Sequence, residues 1–114
     1  MSDESTISYE EFSKVELRAG TVVRAEEFPA ARKPAYKIWV DFGELGVRQT
    51  SAQVTEFYRP EELVGLRVVG VVNLPPKRIA GFESQFLLTG FDADGGGVVL
   101  AQPEREVPNG SRLY

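Results

Sequence analysis

Basic residues near short polar side chains are the part of this 114-residue sequence best suited to chemistry. Lys77-Arg78 directly follows a double proline, and Arg32-Lys33 lies in a loop that contains two more prolines. Lys and Arg attract phosphate groups in a salt-dependent way, and Asn, Gln and Ser can hydrogen-bond base edges or ribose hydroxyls. Nine residues are therefore candidates for RNA binding: Arg32, Lys33, Lys37, Arg48, Gln53, Asn73, Lys77, Arg78 and Ser84. Two alternatives stay open, since the cations could be ordinary solvated surface and the Asn and Ser side chains could satisfy backbone groups at corners of the fold.

The charge distribution determines whether an acidic protein could bind a polyanion. The net charge is −4, which by itself disfavours nucleic acid as a partner. Residues 1–30 hold seven acids and three bases, residues 31–114 are neutral overall, and the stretch 32–78 has eight bases against five acids. The acidity thus belongs to the N-terminal segment, and the middle of the chain could present a basic face.

Catalysis and metal binding are disfavoured by the residue types that are missing. The sequence has no cysteine and no histidine, so it lacks a thiol nucleophile, the usual zinc ligands and the commonest general base. The paired acids Glu61-Glu62 and Asp92/Asp94 have simpler interpretations as a helix start and a turn, and no phosphate loop or cofactor cradle is recognisable. We therefore expect a non-enzymatic protein with no catalytic residue, no metal and no cofactor.

Length and composition predict one folded domain over residues 1–114. Hydrophobic residues make up 42% and charged residues 26% of the chain, which is ordinary for a globular domain. No apolar run approaches the roughly 18 residues that indicate a membrane span, and the acidic N-terminus lacks the apolar segment of a signal peptide. These features predict a cytoplasmic protein without membrane insertion, whose residues 1–7 fray.

The first half of the sequence predicts a short helix and three strands. Ser8 and Glu11 form a capping box that starts a helix reaching about Lys14. Alternation over 15–25 places the odd-numbered residues on one face, and the glycine at position 20 predicts a kink or bulge. A second strand turns four residues inward: Tyr36, Ile38, Val40 and Phe42. It turns Trp39 outward, towards an interface or the N-terminal helix, before a tight turn at 43–46 and a returning strand at 47–51.

The second half predicts shorter elements around one buried strand. A short helix over 53–58 and a turn over 60–64 precede the valine-rich run 66–74, which reads as a strand buried on both faces. Two prolines end that run, a strand over 85–91 follows, and a glycine-rich tip at 92–97 leads to a return strand at 98–101. The predicted fold is all-β with short helices, a small Greek-key barrel of five or six strands.

The segment 73–88 is similar to the signature of a known family, the tRNA-binding domain family. Seven residues match that signature: Asn73, Leu74, Pro76, Ile79, Gly81, Ser84 and Leu87. The sequence departs from it at Gln85 and Phe86, where the family usually has Glu and Gly, and no Met follows. Within the family, the segments 26–32, 51–53 and 102–110 most resemble the export-related chaperones of the CsaA type.

This resemblance implies both a fold and two functions. The fold would be a five-stranded Greek-key OB-fold barrel, with an N-terminal helix and the tail 102–114 at a homodimer interface. Four residues would lie in the segment that contacts tRNA: Asn73, Lys77, Arg78 and Ser84. Recognition of unfolded preproteins in protein export would need an exposed apolar groove, for which the candidates, each of which could be a core residue instead, are Trp39, Tyr58, Phe82 and Phe86. The resemblance thus predicts a preprotein-binding export chaperone, with tRNA binding as the alternative or as a second activity.

Overall fold

The computed structural model describes residues 5–114 as an antiparallel β structure with two short α-helices and a 3₁₀ turn at Gly43–Leu45. In chain order the elements are α1 (Tyr9–Ser13), β1 (Leu17–Glu27), β2 (Tyr36–Asp41), β3 (Val47–Ala52), α2 (Pro60–Leu63), β4 (Arg67–Val71), β5 (Lys77–Ile79), β6 (Phe82–Ser84), β7 (Leu87–Leu88), β8 (Gly90–Asp92), β9 (Val98–Leu100) and β10 (Arg112–Leu113). The main sheet has the order β3-β2-β1-β4-β7, and β10 also pairs with β1. The hairpins β5–β6 and β8–β9 form two small sheets of their own. Within the described residues, no helix has the length and apolar character needed to cross a membrane.

The main sheet curls into a nearly closed barrel because its edge strand β3 is met by the segment after the β5–β6 hairpin. The Gln85 N–H donates to the Gln49 carbonyl at 2.8 Å, and the Ser51 N–H donates to Ser84 Oγ at 3.1 Å. The buried Thr50 lies between these two bonds and joins the same segment through its own hydroxyl. The prediction of an all-β, OB-like barrel with short helices is confirmed, although the strands are shorter and more numerous than expected.

The barrel interior follows the predicted alternation of β2. Tyr36, Ile38, Val40 and Phe42 are all buried and belong to one core cluster. The prediction that the valine-rich run is buried on both faces is also confirmed for 68–72. On one face of this run, Gly70 leaves room for the rings of Phe42 and Phe86. The two rings pack edge to face at 5.0 Å between centroids.

The N-terminal helix forms as the capping box predicts. Ser8 Oγ accepts the Glu11 N–H at 3.0 Å, and Glu11 Oε1 accepts the Ser8 N–H at 3.1 Å. The helix has one turn and buries none of its residues within the chain. Helices this short are unstable alone, so its attachment depends on contacts made around it.

The single alternation predicted for β1 is wrong before Val23. The register to β2 shifts between Val22 and Arg24, so a bulge lies there and not at Gly20. Before the bulge Val22 is buried in the core and Val23 is exposed, the reverse of the predicted faces, and after it Ala25 packs against the core on the predicted face. Gly20 serves a different purpose, because a Cβ there would lie 2.5 Å from Val40 Cγ1 and 2.8 Å from a β2 carbonyl oxygen. Gly20 permits β1 and β2 to approach each other closely, and the bulge changes which side chains of β1 face the core.

The short helix predicted over 53–58 is also wrong, since this stretch is a turn between extended residues. Val54 is buried and the Tyr58 carbonyl accepts the Tyr36 hydroxyl at 2.7 Å, so tertiary contacts hold both ends in non-helical positions. Arg59 is extended (φ −100°, ψ 156°), as expected of a residue before proline. The predicted turn after it is confirmed as α2, which ends before Gly65 at φ 95°.

The strand predicted over 85–91 is broken into β7 and β8. Phe86 turns into the core, which interrupts the extended run, and only Leu87–Leu88 pair with β4. The sequence also did not predict the hairpin that precedes it. In that hairpin Ala80 and Gly81 both have positive φ (49° and 81°), which suits a two-residue turn between β5 and β6.

Candidate nucleic-acid interface

A cleft of about 1100 Å³ brings together most of the predicted basic residues. It lies between the β1–β2 loop (residues 28–35), the end of β3, the β5–β6 hairpin and the strands β7 and β9. Its polar lining is Arg32, Lys33, Ser51, Gln53, Lys77 and Arg78, with no Asp or Glu. Its apolar lining is Ala31, Ala35, Ala52, Val54, Ile79, Ala80, Leu87, Leu88 and Val98. We call this surface the basic cleft.

The four cations of the basic cleft have no acidic partner within the described residues. Ion pairs in residues 5–114 involve five other arginines: Arg18, Arg24, Arg59, Arg67 and Arg105. Arg78 Nη1 donates to the Gly81 carbonyl at 2.9 Å, which uses one of the five N–H donors of its guanidinium. Among residues 5–114, the cleft therefore holds four positive charges that form no ion pair, above an apolar floor, and Glu83 is the ladder partner of one of them, Arg78.

The β1–β2 loop, which carries Arg32 and Lys33, is fixed at both ends. Phe28 is buried at its start, and the Ala31 N–H donates to the Phe28 carbonyl at 3.1 Å. At its end, the buried Tyr36 donates its hydroxyl to the Tyr58 carbonyl. Burial raises the pKa of Tyr36, which keeps the hydroxyl protonated and able to donate.

An aromatic cluster lies where this loop meets the β5–β6 hairpin. The ring of Phe82 packs edge to face on Phe28 (5.6 Å) and on Trp39 (5.9 Å). Lys37 Nζ lies 4.9 Å and 5.1 Å from the two phenylalanine rings, and the Arg24 guanidinium lies 4.4 Å from the Trp39 ring. Trp39 Nε1 also donates to Gln49 Oε1 at 3.2 Å. The two cations of this cluster thus make cation–π contacts with its aromatic rings.

Four predicted RNA-binding residues, Lys37, Arg48, Asn73 and Ser84, lie outside the lining of the basic cleft. Asn73 Oδ1 accepts the Glu16 N–H at 2.9 Å, and its Nδ2 donates to the Lys14 carbonyl at 2.6 Å. Arg48 Nη1 donates to the Val72 carbonyl at 2.8 Å, in a separate cavity of about 380 Å³. Lys37 belongs to the aromatic cluster. The structure thus brings together Arg32, Lys33, Gln53, Lys77 and Arg78, and it disperses the other candidates.

Ser84 occupies a structural position behind the cleft. It accepts the Ser51 N–H and lies 2.7 Å from Thr50 Oγ1, so it links β6 to the edge of β3. Because Ser84 is the β-ladder partner of Lys77, this link also holds the strand from which Lys77 projects.

A comparison with known protein families identifies the family of the chain. The sequence profile described as "Putative tRNA binding domain" matches residues 17–112. The chain belongs to this family. That membership confirms the resemblance carried by the segment 73–88.

Two solved structures resemble the chain closely. The chaperone CsaA from Bacillus anthracis str. Ames is 50% identical with a TM-score of 0.91, and the match covers 96% of this chain and 100% of that one. The CsaA chaperone protein from Picrophilus torridus is 38% identical with a TM-score of 0.90 and the same coverage. These similarities confirm the predicted likeness to CsaA.

A curated relative matches the same domain within a much longer protein. The methionine–tRNA ligase of Thermococcus kodakarensis is 41% identical over 107 residues, which is 94% of this chain and 14% of the ligase. The chain therefore spans only a small part of that relative.

The aromatic residues predicted to line a peptide groove do not share one exposed surface of this tRNA-binding domain. Phe86 is a core residue packed against Phe42, so its predicted place in an exposed groove is wrong. Tyr58 packs against the core, and its hydroxyl accepts the Leu100 N–H at 3.1 Å. Trp39 and Phe82 are half-buried in the aromatic cluster. Neither residue lines the cavity beside the N-terminal helix, which is one of the two positions predicted for Trp39.

A second, apolar surface lies at α1 and the C-terminal tail. Tyr9 and Phe12 line a cavity of about 310 Å³ with Leu113 and Tyr114, and all four side chains are exposed. Arg112 connects the two segments, because its Nη2 donates to the Ser13 carbonyl at 2.6 Å. β10 itself is held to β1 of the same chain.

Two features of the site are not predicted by the sequence: the apolar floor of the cleft and the hydrogen bonds by which Thr50 closes the barrel. Leu88 and Val98 come from two strands that meet only in the folded barrel, so no local pattern identifies them as neighbours. Thr50 does leave a signal, since it is a polar residue opposite the inward-facing Ile38. Among residues 5–114 no cluster of three or more His, Cys, Asp or Glu side chains could hold a metal ion.

Proposed function

We propose that this protein is a non-enzymatic, cytoplasmic tRNA-binding protein that holds the RNA backbone in the basic cleft. Arg32, Lys33, Lys77 and Arg78 contact phosphates, and Gln53 supplies a neutral hydrogen-bonding group. The observation that carries the proposal is the convergence of four cations, from two distant segments, on one cleft in which residues 5–114 supply neither an ion-pair partner nor an acidic lining residue. Membership of the tRNA-binding domain family supports the choice of RNA over other polyanions.

The position of the cleft fits the way OB-folds bind their ligands. OB-folds bind oligonucleotides on the face of strands 2 and 3 and through the loops beside it. Here the cleft is bordered by the β1–β2 loop and by the end of β3. If each cation neutralises one phosphate, the log–log salt slope is about −2.8 to −3.6, and affinity falls about 50- to 150-fold between 50 and 200 mM salt.

The test is the fluorescence anisotropy of labelled bulk tRNA, titrated with the protein over that salt range. Two double variants, Arg32→Ala/Lys33→Ala and Lys77→Ala/Arg78→Ala, should each weaken binding and reduce the slope by about 1.4 to 1.8. The matched control is Arg59→Ala/Arg67→Ala, which also removes two positive charges but from exposed ion pairs outside the cleft. Equal effects of the cleft and control variants would show that net charge alone governs binding and would refute the proposal.

A second candidate function is recognition of unfolded preproteins in protein export. The similarity to two CsaA chaperones favours it, and the apolar floor of the cleft, including the exposed Leu87, offers a surface for side chains of an extended peptide. Apolar peptide binding responds little to salt, so the two functions separate in one experiment. A labelled unfolded preprotein segment that binds equally at 50 and 200 mM salt, and more weakly to Leu87→Ser, would support this activity. Absence of binding would leave tRNA as the ligand.

We also propose that the protein is a homodimer that buries the apolar surface of α1 and the tail. Tyr9, Phe12, Leu113 and Tyr114 are exposed together, and burying them would stabilise a one-turn helix that has no core of its own. Sedimentation equilibrium should give a dimer for the wild type and a monomer for Phe12→Glu. The control is Phe91→Glu on the β8–β9 hairpin, where the aromatic ring is also exposed. A monomeric wild type, or a dimeric Phe12→Glu variant, would exclude this interface.

A further inference from the structure

The two basic pairs of the cleft are carried by segments whose relative position no shared β-ladder fixes. Arg32-Lys33 lies in the loop between β1 and β2, which are central strands of the main sheet. Lys77-Arg78 lies on β5, which within residues 5–114 forms a ladder with β6 alone, so this hairpin is a two-stranded sheet of its own. Side-chain contacts must therefore hold the hairpin in place beside the loop.

Phe82 makes those contacts on the side of the loop. Its ring packs edge to face on Phe28, the residue that opens the β1–β2 loop, and on Trp39 of β2. Phe82 pairs with Ile79 across the hairpin, so it lies directly beside the strand that carries Lys77 and Arg78. One half-buried ring thus joins the segment of the first basic pair to the segment of the second.

We propose that Phe82 is a positioning residue, which sets the spacing of the two basic pairs so that one RNA backbone engages both. This inference rests on the proposed function of the basic cleft. When the hairpin is held in place, an RNA backbone bound to Arg32-Lys33 meets Lys77-Arg78 at a high effective concentration. The hydrogen bonds of Glu83 and Ser84 to β3 hold only the β6 side of the hairpin. Without the ring contact, the turn of the hairpin must therefore be ordered beside the loop during binding, and this entropic cost reduces the contribution of Lys77 and Arg78.

The salt slope of tRNA binding distinguishes positioning from a general loss of stability. Partial unfolding of a variant lowers the competent fraction equally at every salt concentration and leaves the slope unchanged. Loss of positioning removes phosphate contacts and flattens the slope. We expect Phe82→Ala to reduce the slope by about 1.4 to 1.8, the value for two phosphates. Adding Lys77→Ala/Arg78→Ala to Phe82→Ala should then cost little further affinity.

The matched control is Phe91→Ala, which removes an exposed ring from the other hairpin and should leave slope and affinity unchanged. Trp39 is the single tryptophan of the chain, so its emission reports the contact directly. It should shift to longer wavelength in Phe82→Ala and not in Phe91→Ala. Phe82→Leu keeps an apolar side chain and should give an intermediate slope, which provides the readout if the alanine variant does not fold.

A wild-type slope in Phe82→Ala and Phe82→Leu, with the full cost of Lys77→Ala/Arg78→Ala retained, would overturn the positioning role and leave tRNA binding intact. A wild type that does not bind tRNA in a salt-dependent way would overturn the proposed function itself. The two failures are therefore distinguishable in the same titrations.

Discussion

Thr50→Val is the sharpest test of how the barrel closes. Thr50 Oγ1 lies 2.7 Å from both the Phe86 carbonyl oxygen and Ser84 Oγ. Its one hydroxyl hydrogen goes to the carbonyl, so Ser84 donates to Thr50 and in turn accepts the Ser51 N–H. Valine has nearly the same shape but leaves the carbonyl without a donor and the serine without an acceptor.

The structure sets the size of the expected effect. Thr50 is 2% exposed, so water cannot replace the lost bonds without opening the barrel. Leaving a buried polar partner unsatisfied costs about 1–3 kcal/mol in the free energy of unfolding. For a domain of this size, that corresponds to a fall in Tm of about 4–12 °C.

Urea denaturation and thermal melting measure this change, and Thr21→Val is the matched control. Thr21 Oγ1 also makes one side-chain bond, to Asn109 Oδ1 at 2.8 Å, but at the surface, where water can replace it. The control should stay within about 0.5 kcal/mol of wild type. If Thr50→Val is no more destabilising than Thr21→Val, the hydroxyl chain does not hold the barrel closed and our reasoning about closure is refuted.

Three further changes test other parts of the structure. Gly20→Ala should lower the free energy of unfolding by about 1–3 kcal/mol in urea titrations, because its Cβ would overlap Val40; an unchanged midpoint would contradict this. Asn73→Ala should destabilise the fold by about 1 kcal/mol and leave the salt slope of tRNA binding unchanged, whereas a residue that only contacts RNA would give the opposite result. The hydrogen bond from Arg18 lowers the pKa of Glu16, so the ionised carboxylate stabilises the fold above the unfolded-state pKa, and that contribution disappears as pH falls through the folded-state pKa. Wild type should therefore melt above Glu16→Gln at pH 7, the difference should narrow on acidification, and a difference that grows on acidification would have the wrong sign.

The sequence predicts those parts of the fold that local periodicity controls. The inward residues of β2, the capped helix α1 and the buried valines of β4 follow from patterns that span a few residues. The predictions fail where a distant contact overrides the local pattern. The core-facing side of β1 changes from the even-numbered Val22 to the odd-numbered Ala25 because a bulge shifts the register to β2, and nothing in the eleven residues of β1 marks its position. Phe86 turns into the core where Gly70, on the neighbouring strand β4, leaves room for its ring.

The same distinction applies to the candidate site. The basic pairs Arg32-Lys33 and Lys77-Arg78 are visible in the sequence, since each is a doublet in a loop or beside a corner. Their convergence is a property of barrel closure, which depends on Thr50 and Ser84 and has no local signature. Arg48 shows the reverse case, because it is a cation by sequence but its guanidinium is committed to a backbone carbonyl at another cavity.

An acidic protein can bind a polyanion because its charges are separated in space. Among residues 5–114, the lining of the basic cleft has four cations and no acid, whereas Glu10 and Glu11 lie on α1, which packs beside the C-terminal tail and does not border the cleft. Two acids are nearer, because Glu83 is the ladder partner of Arg78 and Glu27 lines a neighbouring cavity with Arg32. Charges separated by more than the screening length of about 8 Å at physiological ionic strength interact weakly, so an RNA backbone in the cleft responds to the four cations and these neighbours more than to the net charge of −4. Local geometry, and hence the contacts that hold the hairpin and loop together, determines affinity more than overall composition.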